Sequence, residues 1–110
     1  MNPDCERWIA LLQENLSLAQ ELARIPLDTY LRSPEHQLAF EALVMRVGDL
    51  AKRISALEPG LTTDEVWAKA ARARDFSAHH YHRIDVVALY KTVKFAFPEL
   101  QEAVGILSRL

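Results

Sequence analysis

The sequence predicts an all-α fold of four to five helices, a single domain over residues 1–110. Three observations predict it. Glycine is scarce, at three residues. Helix-forming residues dominate. Apolar residues recur at spacings of three and four, and strand-like alternation is nowhere sustained. Half of the residues are hydrophobic, enough for a core. A chain this short still buries a modest fraction of its surface, and small helical domains gain by dimerising.

The first helix is expected from about Asp4 to Ala23, with Trp8, Leu11, Leu12, Leu18, Ala19 and Leu22 on one stripe. Ile25-Pro26-Leu27 breaks it, because proline lacks a backbone donor and restricts the residue before it. Ser33 as N-cap and Pro34 at the first helical position start a second helix that runs to about Leu57. Phe40, Leu43, Val47, Leu50, Ile54 and Leu57 form its seam. Gly48 sits in mid-helix at a cost of ~1 kcal/mol against alanine, which points to close helix packing there. Glu58-Pro59-Gly60 ends this helix. Thr62-x-x-Glu65 reads as a capping box for a third helix, from about Thr63 to about Ala78. A fourth starts after Asp85 as N-cap and carries Val86, Leu89, Tyr90, Val93 and Phe97. Pro98 opens the last, with Leu100, Val104, Leu107 and Leu110. Tyr30, Trp8, Met45 and Cys5 read as core, and His36 as exposed.

Net charge is −2, which argues against a generally basic nucleic-acid coat protein. The charge is unevenly spread. Six basic residues (Lys69, Arg72, Arg74, Arg83, Lys91, Lys94) and two acids (Asp75, Asp85) fall between Trp67 and Lys94. That segment is therefore +4 and the remainder −6. A polyanionic partner fits the basic part. Cys5 is the only cysteine, so no intrachain disulfide and no cysteine-based zinc site is expected. The polar start, MNPDCERW, has no signal-peptide core, and no apolar run approaches the ~18 residues of a membrane span. A soluble, cytoplasmic protein without a membrane segment is expected.

Chemistry concentrates in RDFSAHHYHRID, residues 74–85. Arg74 and His79 are five residues apart and would lie about 140° apart around an ideal helix. Either the helix ends near His79 or a second chain completes the site. His79 and His82 could share a face, with His80 pointing elsewhere. Three readings follow from the residues. The first is general acid–base catalysis, in which a histidine titrating near neutral pH moves protons and an arginine stabilises phosphoryl charge. That chemistry suits RNA cleavage, where the 2′-hydroxyl is the nucleophile and neither metal nor cofactor is required. The second is a metal site of His79, His82 and Asp85. The third is the polar end of an ordinary helix.

The pattern Arg74-Asp75-x-x-x-His79-x-Tyr81 resembles the R-x4-H-x-Y signature of HepT-like proteins in the HEPN superfamily. Asp75 fits the polar position, often asparagine, that follows the arginine. Trp67, Ile84-Asp85, Leu89-Tyr90 and Phe97-Pro98-Glu99-Leu100 are similar to the family's flanks. Gly48-Asp49-Leu50-Ala51-Lys52-Arg53-Ile54 resembles its GEAAKRL-type stretch, with Asp49 in place of the usual glutamate and Leu50 in place of alanine. The resemblance runs from about residue 34 onward. It implies a HEPN-like up-and-down bundle that forms a homodimer, with two arginine–histidine pairs lining one composite cleft. It further implies a toxin of a bacterial toxin–antitoxin pair, a metal-independent ribonuclease. Its partner would be a minimal nucleotidyltransferase antitoxin, able in some pairs to silence the toxin by adding AMP to the motif tyrosine, here Tyr81. Arg74 and His79 would be catalytic, with Asp75, Tyr81 and His82 in support and Arg72, Arg83 and Lys91 as RNA backbone contacts. The competing expectation is a non-catalytic helical module that docks on a nucleotidyltransferase.

Overall fold

The computed structural model describes residues 1–79 and 85–110. Every regular element among them is helical: α1 (Pro3–Leu22), α2 (Leu27–Tyr30), α3 (Pro34–Leu57), a 3-10 turn (Pro59–Leu61), α4 (Glu65–His79), α5 (Val86–Lys91), a π-helical turn (Thr92–Ala96) and α6 (Phe97–Ser108). The all-α expectation holds. No helix among the described residues is long and apolar enough to cross a membrane.

Helix α3 is the axis of the bundle. Its 24 residues, at about 1.5 Å each, span most of the molecule's length. Ser33 caps it as expected, its hydroxyl accepting from the His36 N–H, with Pro34 just inside. His36 is half-buried rather than exposed, with Nδ1 2.7 Å from the Ser33 hydroxyl. α1 and α4 pack along α3, and α6 closes the other side against α1 and α4.

The expected apolar stripes are right in part. In α1 the buried face is Cys5, Ile9, Leu12, Leu16 and Ala19, spaced by four and three. Leu11 and Leu18 are exposed. They lie about 100° from Leu12 and Ala19 around the helix, and a leucine count does not reveal which neighbouring stripe turns inward. In α3 the core set is Phe40, Leu43, Val44, Val47, Gly48, Ala51 and Ile54, with Leu50 partly buried and Leu57 exposed. Cys5 and Tyr30 are core, whereas Met45 and Trp8 are only half-buried. Burial, with the Glu58 charge second, pushes the Cys5 thiol pKa up.

Three boundaries differ from the sequence reading. The break at Pro26 holds a one-turn helix, α2, that the sequence reading does not contain. It presents Tyr30 to Phe40 and Tyr90, at ring-centroid distances of 4.8 and 5.0 Å. The start of α4 is set by Asp64, whose carboxylate accepts from the Val66 N–H. The Thr62 hydroxyl instead donates back to the Glu58 carbonyl, so Thr62 serves the preceding turn and the expected capping box does not form. Finally, Pro98 stands in the first turn of α6 as expected, but no break separates α6 from α5: the chain is helical from Val86 to Ser108, and the π-helical turn Thr92–Ala96 leads into α6. Proline has no N–H and its ring clashes with the carbonyl four residues back in an α-helix. One wider turn relieves that conflict without a break.

Two part-buried hydroxyls tie α5 to the segment between α1 and α3. Tyr30 donates to the Val86 carbonyl at 2.6 Å, and Tyr90 donates to the Ile25 carbonyl at 2.9 Å. Asp85 caps α5 as expected, accepting from the Val87 and Ala88 N–H groups. Burial, reinforced by the Asp85 charge, pushes the Tyr30 pKa up to about 12, so its phenol stays protonated and remains a donor.

Candidate active site

Helix α4 carries the motif, and its inward stripe explains how. Trp67, Ala70 and Ser77 are buried at 2, 6 and 7 % exposure. Arg74 falls on the same stripe, seven residues after Trp67 and three before Ser77. A helix that packs on α3 thus places an arginine at a position where other helices place leucine. Its side chain is 30 % exposed.

Gly48 makes this possible. A Cβ added there would collide with the Arg74 Cβ, lie 2.9 Å from its Cγ and lie 2.7 Å from the Ala70 carbonyl oxygen. The absent side chain in α3 is the space that the stem of Arg74 fills. The close packing expected at Gly48 is present, and its partner is the motif arginine.

Three charged side chains meet at this crossing. The Lys52 Nζ donates to both Asp75 oxygens, at 2.9 and 3.2 Å, and the Arg74 Nη1 donates to Asp75 Oδ1 at 3.2 Å. Lys52 is four residues after Gly48, one turn along the same face of α3. The Lys52 ammonium, and then the Arg74 guanidinium, hold the Asp75 carboxyl below the usual carboxylate range, so Asp75 is ionised at neutral pH. The Arg74 Nε is buried and has no hydrogen-bond partner among the described residues. A buried donor left unpaired costs about 1–3 kcal/mol, which a structural arginine would avoid. Asp49, the other acid on this part of α3, is taken up by Arg53 at 2.9 Å.

Of the other expected site residues, His79 is the last residue of α4. His80, Tyr81, His82 and Arg83 lie outside the described residues, as does part of the His79–His82–Asp85 trio considered for a metal. Arg72 is exposed, with Nη2 3.6 Å from Glu65, and is turned about 200° around α4 from Arg74. Lys91 is exposed in the last turn of α5. The structure thus brings Arg74 and Asp75 together and places Arg72 on a different face of α4. Lys52 is a member of the cluster that the sequence reading did not count as a site residue. Helical spacing places Gly48 and Lys52 on one face of α3, but only the crossing of α3 with α4 joins that face to Arg74 and Asp75.

A cavity of about 150 Å³ opens between α3, α4 and α5 beside this end of the bundle, with Val44, Phe76, Ser77 and Asp85 in its walls. Pockets that enclose small molecules run to about 300–1,000 Å³, so this cavity is too small to enclose a nucleotide. Phe76, adjacent to Asp75, is 55 % exposed.

Comparison with known proteins places the geometry in context. The sequence model of a family described as "Ribonuclease HepT-like" matches residues 12–106. The match therefore begins well before residue 34 and takes in the second half of α1. A protein of Thermococcus cleftensis named "Probable ribonuclease HepT" is 31 % identical over 91 residues, which cover 82 % of this chain and 83 % of that protein. No solved structure matches the chain.

Proposed function

The chain belongs to the HepT-like family, and from that premise we propose that it is a metal-independent endoribonuclease, the toxin of a toxin–antitoxin pair. The observation that carries the reading is Arg74. It is an arginine on the packing stripe of α4, seated on a glycine, with a carboxylate on one nitrogen and its side chain 30 % exposed. A guanidinium held in place this way is suited to a phosphodiester and to the charge that builds on it during cleavage.

In this reading Arg74 binds the scissile phosphate and Asp75 orients it. His79, at the end of the same helix, takes the proton from the attacking 2′-hydroxyl or gives one to the leaving 5′-oxygen. A second copy of the chain supplies the other role. The small cavity beside the motif and the exposed Phe76 favour such a composite cleft, since a partner copy would both enlarge the site and cover the ring. Tyr81 contacts RNA and accepts AMP from a minimal nucleotidyltransferase antitoxin, which silences the enzyme. His82 assists, and Arg72, Arg83 and Lys91 bind the RNA backbone. Those three contribute salt-dependent affinity.

The test is cleavage of mixed cellular RNA by the purified, unmodified protein with EDTA present, beside His79→Ala. Fragments from the wild type and none from the variant are expected. An inert wild type, folded and dimeric, overturns the reading.

A further inference from the structure

Lys52 stands outside the R-x4-H-x-Y motif, yet it is built into the same cluster. Asp75 bridges Lys52 and Arg74, at 2.9 and 3.2 Å to its Oδ1. One carboxylate neutralises one of the two cations, so the group retains a net positive charge. The acid nearest to Lys52 on its own helix, Asp49, is paired with Arg53 and does not cancel that charge. The Lys52 side chain remains 46 % exposed, so its ammonium can meet a ligand while Asp75 anchors it.

We propose that Lys52 is a substrate-binding residue, a second cation that Asp75 holds beside Arg74 to grip an RNA phosphodiester. The inference rests on the ribonuclease reading for the identity of the anion. Its chemistry is that of two cations from two helices on one nucleic-acid backbone. Arg74 supplies a planar fork and Lys52 a mobile point charge.

Each phosphate contact to a single strand steepens the salt dependence of log K by about 0.7. Removing one contact therefore weakens binding about fivefold at 0.1 M salt and has almost no effect near 1 M. The probe is a 2′-O-methyl RNA 20-mer, which lacks the nucleophile and is not cleaved. Its affinity is measured across a salt series for wild type, Lys52→Gln and Lys52→Arg. Lys52→Gln is expected to bind about fivefold more weakly at 0.1 M salt, with a slope shallower by about 0.7. Lys52→Arg, which keeps the charge, is expected to restore both. A half-exposed ion pair contributes little to stability, so thermal melts of all three proteins should agree closely.

An unchanged affinity and slope for Lys52→Gln overturns the proposal, as does a wild type that does not bind the probe. Equal loss in Lys52→Arg would mark a purely structural role and overturns it too. The outcomes separate from those of the ribonuclease reading. A wild type that grips the probe through Lys52 but leaves ordinary RNA intact sinks the nuclease and keeps the site. Cleavage by Lys52→Gln with unaltered binding does the reverse.

Discussion

Arg74→Ala is expected to lower the single-turnover rate of RNA cleavage by about 10²–10³, the loss typical when one preorganised donor to transition-state charge is removed. The fold should persist. The arginine stem fills the notch at Gly48, and truncation leaves a gap there, but it also removes a buried Nε that has no partner among the described residues. These two changes oppose each other in stability. Arg74→Lys keeps the charge and loses the planar fork, so it should recover only part of the rate. Rates on a short RNA, with urea melts alongside, check this. A cleavage rate for Arg74→Ala within a few-fold of wild type would remove the arginine from the chemistry.

Gly48→Ala carries the second large effect, and its sign is informative. By helix propensity alone the substitution stabilises α3 by about 1 kcal/mol. The packing requires the opposite. The new methyl would overlap the Arg74 Cβ and press on the Ala70 carbonyl oxygen at 2.7 Å. A carbonyl within a helix cannot swing aside as the end of a long side chain can. Helices α3 and α4 must separate, and overpacking of this kind costs about 1–3 kcal/mol. Displacement of Arg74 by about 1 Å is also enough to cost on the order of 10²-fold in rate. Gly48→Ala is therefore expected to be less stable in urea than wild type and strongly impaired in cleavage. A variant more stable than wild type would mean that the two helices do not meet as described.

Much of this architecture is legible in the residues. Ser33-Pro34 and Asp85 announce their helices through local capping chemistry, which needs no tertiary information. Gly48 announces a close approach, because a mid-helix glycine is costly unless space demands it. The features that were not legible depend on the third dimension. Leu11 and Leu12 are chemically alike, and only the placement of α3 and α6 decides which is buried. Thr62 and Asp64 both offer a capping oxygen, and the 3-10 turn at Pro59–Leu61 commits the threonine to Glu58. Pro98 reads as a helix start and stands in the first turn of α6, but the π-helical turn that joins α6 to α5 without a break is not legible. At the candidate site, Arg74 and Asp75 stand out by motif resemblance. Lys52 does not, because 23 residues separate it from Asp75 and only the crossing of α3 and α4 joins them.

The central claim is that two copies of the chain share arginine–histidine pairs in one RNA-cleaving cleft. Mixed dimers of wild type and His79→Ala, co-expressed with different tags and purified through both, test it most directly. If the two copies supply base and acid to one cleft, the mixed dimer lacks one of the two roles, and RNA cleavage should fall by about 10²-fold or more below that of the wild-type dimer. A mixed dimer that keeps about half of the wild-type rate would contradict a shared cleft and confine each active pair to one protomer.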